Sequence, residues 1–193
     1  MQYTDEQLLD RVKALPSFIG WPTGILEIGV RSKADVFDAF DDKNYTYDCR
    51  SGSPKFVFVR NTTTNAGSYG LKHFSDYNHL GCAVLKSDQI VYDSHVFGYH
   101  KHIHDANHEA YVQAKGFPYF RDANRNEKAE EIGEEYHDII GANIHRAGQN
   151  STVIKNWSVA CIVTANLSKY LAWLDYLKKN GKPPASLCLL KEF

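Results

Sequence analysis

The sequence predicts a β-rich α+β domain with a short helix at each end. Between Gly24 and His145, apolar residues come in short alternating runs enriched in β-branched and aromatic side chains, the period-2 signature of strands. Helical spacing is confined to one segment after Thr4 and one after Asn166. The 193 residues are 43% hydrophobic and 13% aromatic, enough for one substantial core. With no repeat, linker or low-complexity tract to divide it, residues 1–193 read as a single domain.

Thr4 and Gln7 fit a capping box, and Leu8, Leu9, Val12 and Leu15 follow at helical spacing until Pro16. Strands are expected at 25–30 (ILEIGV), 44–48 (NYTYD), 55–59 (KFVFV), 81–86 (GCAVLK), 89–93 (QIVYD), 109–114 (EAYVQA) and 139–145 (IIGANIH). Ser87-Asp88 reads as the tight turn of a hairpin over 81–93. The polar stretch 121–131 (RDANRNEKAEE) reads as a turn leading into a short helix. The segment 157–163 (WSVACIV) is a strand or sharp turn. Asn166 caps a helix over 167–179 with Leu171, Leu174 and Leu177 as its apolar positions, ended by Gly181 and Pro183. A last strand, ASLCLL, closes a sheet edge.

Twenty-two basic against 23 acidic residues leave a net charge of −1, so no global field draws the chain to nucleic acid or an anionic membrane. No window approaches the roughly 18 apolar residues of a membrane span. The first residues, MQYTDEQLLDRV, are acidic and lack the basic-then-apolar run of a secretory leader, so synthesis and folding in a cytoplasm are expected. Cys49, Cys82, Cys161 and Cys188 are widely spaced, which excludes a zinc ribbon or a C-x-x-C redox pair and suggests reduced thiols.

The chemistry concentrates in Asn143–Asn166, NIHRAGQNSTVIKNWSVACIVTAN. A strand delivers His145, and a polar loop leads to Cys161. Two antiparallel strands joined by that loop bring imidazole and thiol within reach. A thiol with pKa near 8.5 is mostly protonated at neutral pH, and a nearby imidazole can take its proton and later return it. Amide N–H groups around Ala160 and Cys161 can hold a developing oxyanion. The competing reading is a buried core thiol, since cysteine is among the most buried residue types.

These residues resemble the signature of the L,D-transpeptidase catalytic domain, a strand ending in I-H-G, a loop, then S-H-G-C-I-R-x-x-N. Here stand Ile144-His145, then Ser158-Val159-Ala160-Cys161-Ile162, with Asn166 at the final asparagine. Upstream, Thr64-Asn65-Ala66-Gly67-Ser68-Tyr69 resembles the family's T-P-x-G-x-Y/F turn. The resemblance covers about 55–180, with 1–50 as an N-terminal extension, and implies a β-rich L,D-transpeptidase-like domain. It makes Cys161 the nucleophile and His145 its base, with Ser158, Ala160 and a carbonyl near Arg146 as oxyanion or orienting groups. Val159, Ala160 and Val163 depart from the family's histidine, glycine and arginine.

The implied activity is hydrolysis or transpeptidation of peptidoglycan stem peptides through a thioester, with no cofactor. A leaderless wall enzyme suggests a phage or prophage endolysin, or a virion-borne or otherwise delivered protein. Trp157, Tyr99 and His100 are candidates for the substrate groove, and Arg146 for a carboxylate partner. Two other functions compete: a non-catalytic structural or binding protein on the same fold, such as a virion component, and a metal-dependent hydrolase. The latter would use His100, His102 and His104, which project from one face of a strand. Asp122, Asn124 and Asn126 mimic half of a calcium loop, but Glu127 and Gly133 stand where glycine and glutamate are needed, so Asx turns are expected.

Overall fold

The computed structural model of the chain describes residues 2–101, 107–149 and 151–193. It is β-rich with three short helices, an α+β arrangement. The strands are β1 (Ile25–Arg31), β2 (Asp42–Asp48), β3 (Lys55–Thr63), β4 (Cys82–Leu85), β5 (Gln89–His100), β6 (His108–Gln113), β7 (Phe117–Asp122), β8 (Tyr136–Asp138), β9 (Ile144–Arg146), β10 (Ile162–Thr164) and β11 (Ala185–Lys191). Eight of them close into a barrel in the order β1-β11-β5-β6-β9-β10-β3-β2, and β4-β7-β8 form a separate three-stranded sheet. No helix among the described residues is long and apolar enough to cross a membrane.

Helix α1 (Asp5–Lys13) starts where its capping box places it, with both reciprocal bonds between Thr4 and Gln7 made. Its Leu8 and Val12 pack on Leu26, Ile28 and Val30 of β1 and on Cys188 and Leu190 of β11. The alternate residues of the same strands, Ile25, Ala185, Leu187 and Leu189, form a second core with Tyr170, Trp173, Leu174 and Leu177 of α3 (Leu167–Lys179). Both faces of β1 and β11 are therefore covered by a helix. The small sheet adds Ala83, Leu85, Phe117 and Tyr119 to the α3 core.

Within that core Glu27 and Arg60 form an ion pair at 2.6 Å, both side chains at zero exposure. The carboxylate also accepts from Asn44 Nδ2 (2.8 Å), Thr46 Oγ1 (2.9 Å) and Trp173 Nε1 (2.9 Å). The guanidinium lies 4.0 Å over the Trp173 ring and donates to Thr164 Oγ1. Burial pushes the Glu27 carboxyl up and the Arg60 guanidinium down, and each charge opposes the shift of the other. The network joins β1, β2, β3, β10 and α3.

Several expectations need correction. The 81–93 hairpin does not form, because β4 pairs with β7 while β5 pairs with β11 and β6. β4 is buried on both faces, so it needs cover that a two-stranded ribbon cannot supply. β11 is no edge: it lies between β1, to which it is parallel, and β5. Residues 121–131 form no helix, since Asp122, Asn124 and Asn126 each accept the amide N–H two residues ahead. Arg125 and Glu127 are left-handed at φ 55° and 69°. In α3, Leu171 is 53% exposed, and the buried stripe runs through Tyr170, Trp173, Leu174 and Leu177. Strands β7 and β8 and the short helix α2 (Ser68–Lys72) carry no clear sequence signal.

Glu27→Gln keeps the shape of the buried carboxylate but leaves Arg60 charged without its counter-ion, which is expected to cost about 3–5 kcal/mol in urea unfolding. A loss below about 1 kcal/mol would contradict the role assigned to the pair.

Candidate active site

Of the expected strand 139–145 only its end is regular, because Gly141 turns the chain at φ 76°. β9 and β10 are parallel neighbours, correcting the antiparallel expectation. The connection 147–161 is long enough to return the chain to the starting end of β9. Ile144 stands opposite Ile162 and His145 opposite Val163. Cys161, one residue before β10, therefore lies level with Asn143 and diagonal to His145 on the same face.

The His145 ring is fully buried, with Nδ1 2.8 Å from the Arg146 carbonyl. A carbonyl only accepts, so Nδ1 carries the proton of the neutral ring and Nε2 is its basic nitrogen. Cys161 is 9% exposed and its thiol donates to the Gly141 carbonyl at 3.3 Å. Burial pushes this thiol up to about 11, partly offset by the Asn143 amide N–H. The sulfur is therefore protonated at rest, and no thiolate is stored.

Segment 138–143, which supplies the Gly141 carbonyl, is held by two side chains that the sequence reading missed. Gln113 Oε1 accepts from the amides of Ile140 (3.0 Å) and Ala142 (2.9 Å), and its Nε2 donates to the carbonyls of Asp138 and Lys115. His95 Nε2 donates to the Ala142 carbonyl at 2.8 Å, and its Nδ1 faces Ser94 Oγ. Both stand among other polar residues of β5 (QIVYDSHVFGYH) and β6 (HEAYVQ), so nothing in the sequence marks them as the buried ones.

The turn that carries Cys161 is fixed from both sides. Ser158 Oγ donates to the Cys161 carbonyl at 2.8 Å, and the Ser158 carbonyl accepts from Gly67 N–H at 2.9 Å. Cys82 Sγ donates to the Val159 carbonyl. A Cβ at Gly67 would sit 2.2 Å from the Lys155 carbonyl oxygen, so only glycine permits this approach. The 64–69 turn thus packs directly on 155–158. Among the described residues, the amide N–H groups of Ala160 and Cys161 make no hydrogen bond.

The remaining candidates separate. His100 is buried and stacks on His145 at 3.9 Å and 8°, with His108 5.3 Å from His100 and 5.7 Å from His145. Tyr99, adjacent in β5, projects to the opposite face and is 63% exposed, so these two do not share a groove. Trp157 packs, half-buried, against Ala147, Cys161 and Val163. Arg146 Nη1 donates to the Ala147 carbonyl. His102 and His104 lie outside the described residues; among those described, no group of three His, Cys, Asp or Glu side chains is placed to hold a metal.

No family model matches this chain, and no curated protein or solved structure is significantly similar to it.

Burial holds His95 neutral, pushing it down to about 4 against the pull of the Ala142 carbonyl. The unfolded chain binds this proton near pH ~6.5 and the folded chain does not until much lower, so stability is full above that pH and falls as pH drops towards ~4. The loss is expected to reach about 3 kcal/mol, and His95→Gln should flatten it. Urea unfolding at about pH 7.5 and about pH 4.5 for both proteins checks this; equal slopes would contradict it.

Proposed function

We propose that the chain is a cysteine acyl-transfer enzyme of the L,D-transpeptidase kind, acting on the stem peptides of bacterial peptidoglycan. The observation that carries the reading is the parallel β9-β10 register, which sets His145 and Cys161 on one face with the basic Nε2 of His145 defined by the Arg146 carbonyl. The packing of the 64–69 turn against 155–158 adds support, because the two segments that resemble the family's motifs are far apart in sequence yet meet in space.

The chemistry starts from a neutral thiol. As the Cys161 sulfur attacks a substrate amide carbon, its proton leaves the Gly141 carbonyl for His145 Nε2. The developing oxyanion is received by the amide N–H groups of Ala160 and Cys161. The carbon–nitrogen bond then breaks, His145 gives its proton to the departing amine, and a thioester remains on Cys161. Water or an amine acceptor resolves it, giving hydrolysis or transpeptidation respectively. No cofactor enters the sequence. A wall substrate places the action after release or delivery, as for a phage or prophage lysin.

A second reading, a non-catalytic structural or binding protein on the same fold, is favoured by one feature. Cys161 is deeply buried and its thiol is pushed up rather than down. The two readings part on incubation of the purified protein with peptidoglycan followed by mass spectrometry of the muropeptides. The enzyme releases new stem-peptide products that vanish with Cys161→Ala. Absence of new products leaves the non-catalytic reading, and products unchanged in Cys161→Ala overturn the role proposed for Cys161.

A further inference from the structure

Asn143 links the two stacked histidines to the thiol through atoms whose identity is settled by their partners. Its Oδ1 lies 2.9 Å from the backbone N–H of Gln113. A peptide N–H can only donate, so this atom is oxygen, and the other amide atom, 2.9 Å from His100 Nδ1, is the NH2 group. An amide NH2 also only donates. His100 Nδ1 is therefore an acceptor without a proton, and the neutral ring carries its hydrogen at Nε2. His145 is fixed in the opposite sense, with its hydrogen at Nδ1 directed to the Arg146 carbonyl.

Two imidazoles of opposite tautomer are thus held face to face at 3.9 Å. A second proton on His100 would set an N–H against the Asn143 NH2, two donors with no acceptor between them. The backbone of Asn143 also touches the thiol site: its N–H lies against Cys161 Sγ and its carbonyl accepts from Ile162 N–H at 2.9 Å.

We propose that Asn143 is a positioning residue that keeps His100 neutral, so that a proton entering the stacked pair resides on His145. Among the described residues, the other titratable or charged groups near the pair include His108 of β6, Cys161 ahead of β10, Arg146 beside His145 and Tyr170 of α3, whose ring lies 6.4 Å from that of His108. Lys101 directly follows β5, and Glu109 lies within β6 next to His108. The inference rests on His145 being the base of Cys161 for its functional meaning, although the protonation pattern itself is read without any reaction.

The test is nitrogen and proton NMR of the histidine rings in the 15N-labelled full chain between about pH 5 and about pH 8. In the native protein His100 is expected to keep a single proton, at Nε2, while His145 holds its Nδ1 proton and takes up the second one at Nε2. Asn143→Asp keeps the acceptor for Gln113 N–H but turns oxygen towards His100, so His100 should gain an Nδ1 proton and titrate at least about one pH unit higher, tenfold in proton affinity. The proposal is overturned by a native His100 that protonates before His145 or carries its proton on Nδ1, or by an Asn143→Asp protein whose His100 stays singly protonated. If Asn143→Asp does not fold, the native spectra decide alone. Expected spectra together with no acyl transfer on peptidoglycan would defeat the proposed function and leave this protonation pattern standing.

Discussion

The buried Glu27–Arg60 pair is the constraint on which the rest of the structure depends. A carboxylate and a guanidinium at zero exposure lose several kcal/mol of hydration each, and the loss is offset only where the geometry is good and the remaining lone pairs and hydrogens are matched. Here Asn44, Thr46 and Trp173 complete the carboxylate, and Thr164, Thr46 and the Trp173 face meet the guanidinium, whose Nε alone finds no hydrogen-bond partner among the described residues. These partners come from β2, α3 and β10, so any shift of one element leaves a buried charge poorly matched. The pair therefore specifies how α3 seats inside the sheet. It also governs the site, because β10 runs through Asn166 straight into α3, and Cys161 stands one residue before β10.

The site built on that frame is closed and at rest. The thiol is held by a carbonyl, the ring of its candidate base by another, and both lie out of solvent. Segment 138–143 is the hinge of this arrangement. Its carbonyls and amides face Cys161 on one side, and Gln113 and His95 grip it on the other. A neutral thiol suits the proposed mechanism, in which proton transfer accompanies attack, and it is less readily oxidised than a thiolate.

What was legible in the sequence were features whose cause is local. Thr4 with Gln7 and the Asn166 cap marked α1 and α3 because capping needs only neighbours in the chain. The cores of β1, β2 and β6 announced themselves by alternation. Pairing was not legible: β4 and β5 look like a hairpin around Ser87-Asp88, yet each finds partners far away, and nothing local records that Leu85 stands against Tyr119. The direction of β10 against β9 was hidden for the same reason. His145 and Cys161 were visible as residue types with a chemistry. The residues that hold them were not, because Gln113, His95 and Asn143 act through backbone atoms whose positions only the fold defines. His100 looked like a metal ligand by its spacing to His102 and His104, whereas its described partners are His145, His108 and Asn143.

The central claim is that Cys161 is a thiol poised for proton transfer to His145 and not a core side chain. The most direct measurement is the rate at which Cys161 alone is alkylated in the native chain at neutral pH, followed by intact mass and compared with the rate of global unfolding. The account predicts alkylation much faster than unfolding and a loss of at least about tenfold in His145→Gln, the equivalent of about 1.4 kcal/mol of assistance from the base. Alkylation that proceeds only at the unfolding rate, or is indifferent to His145→Gln, would contradict it.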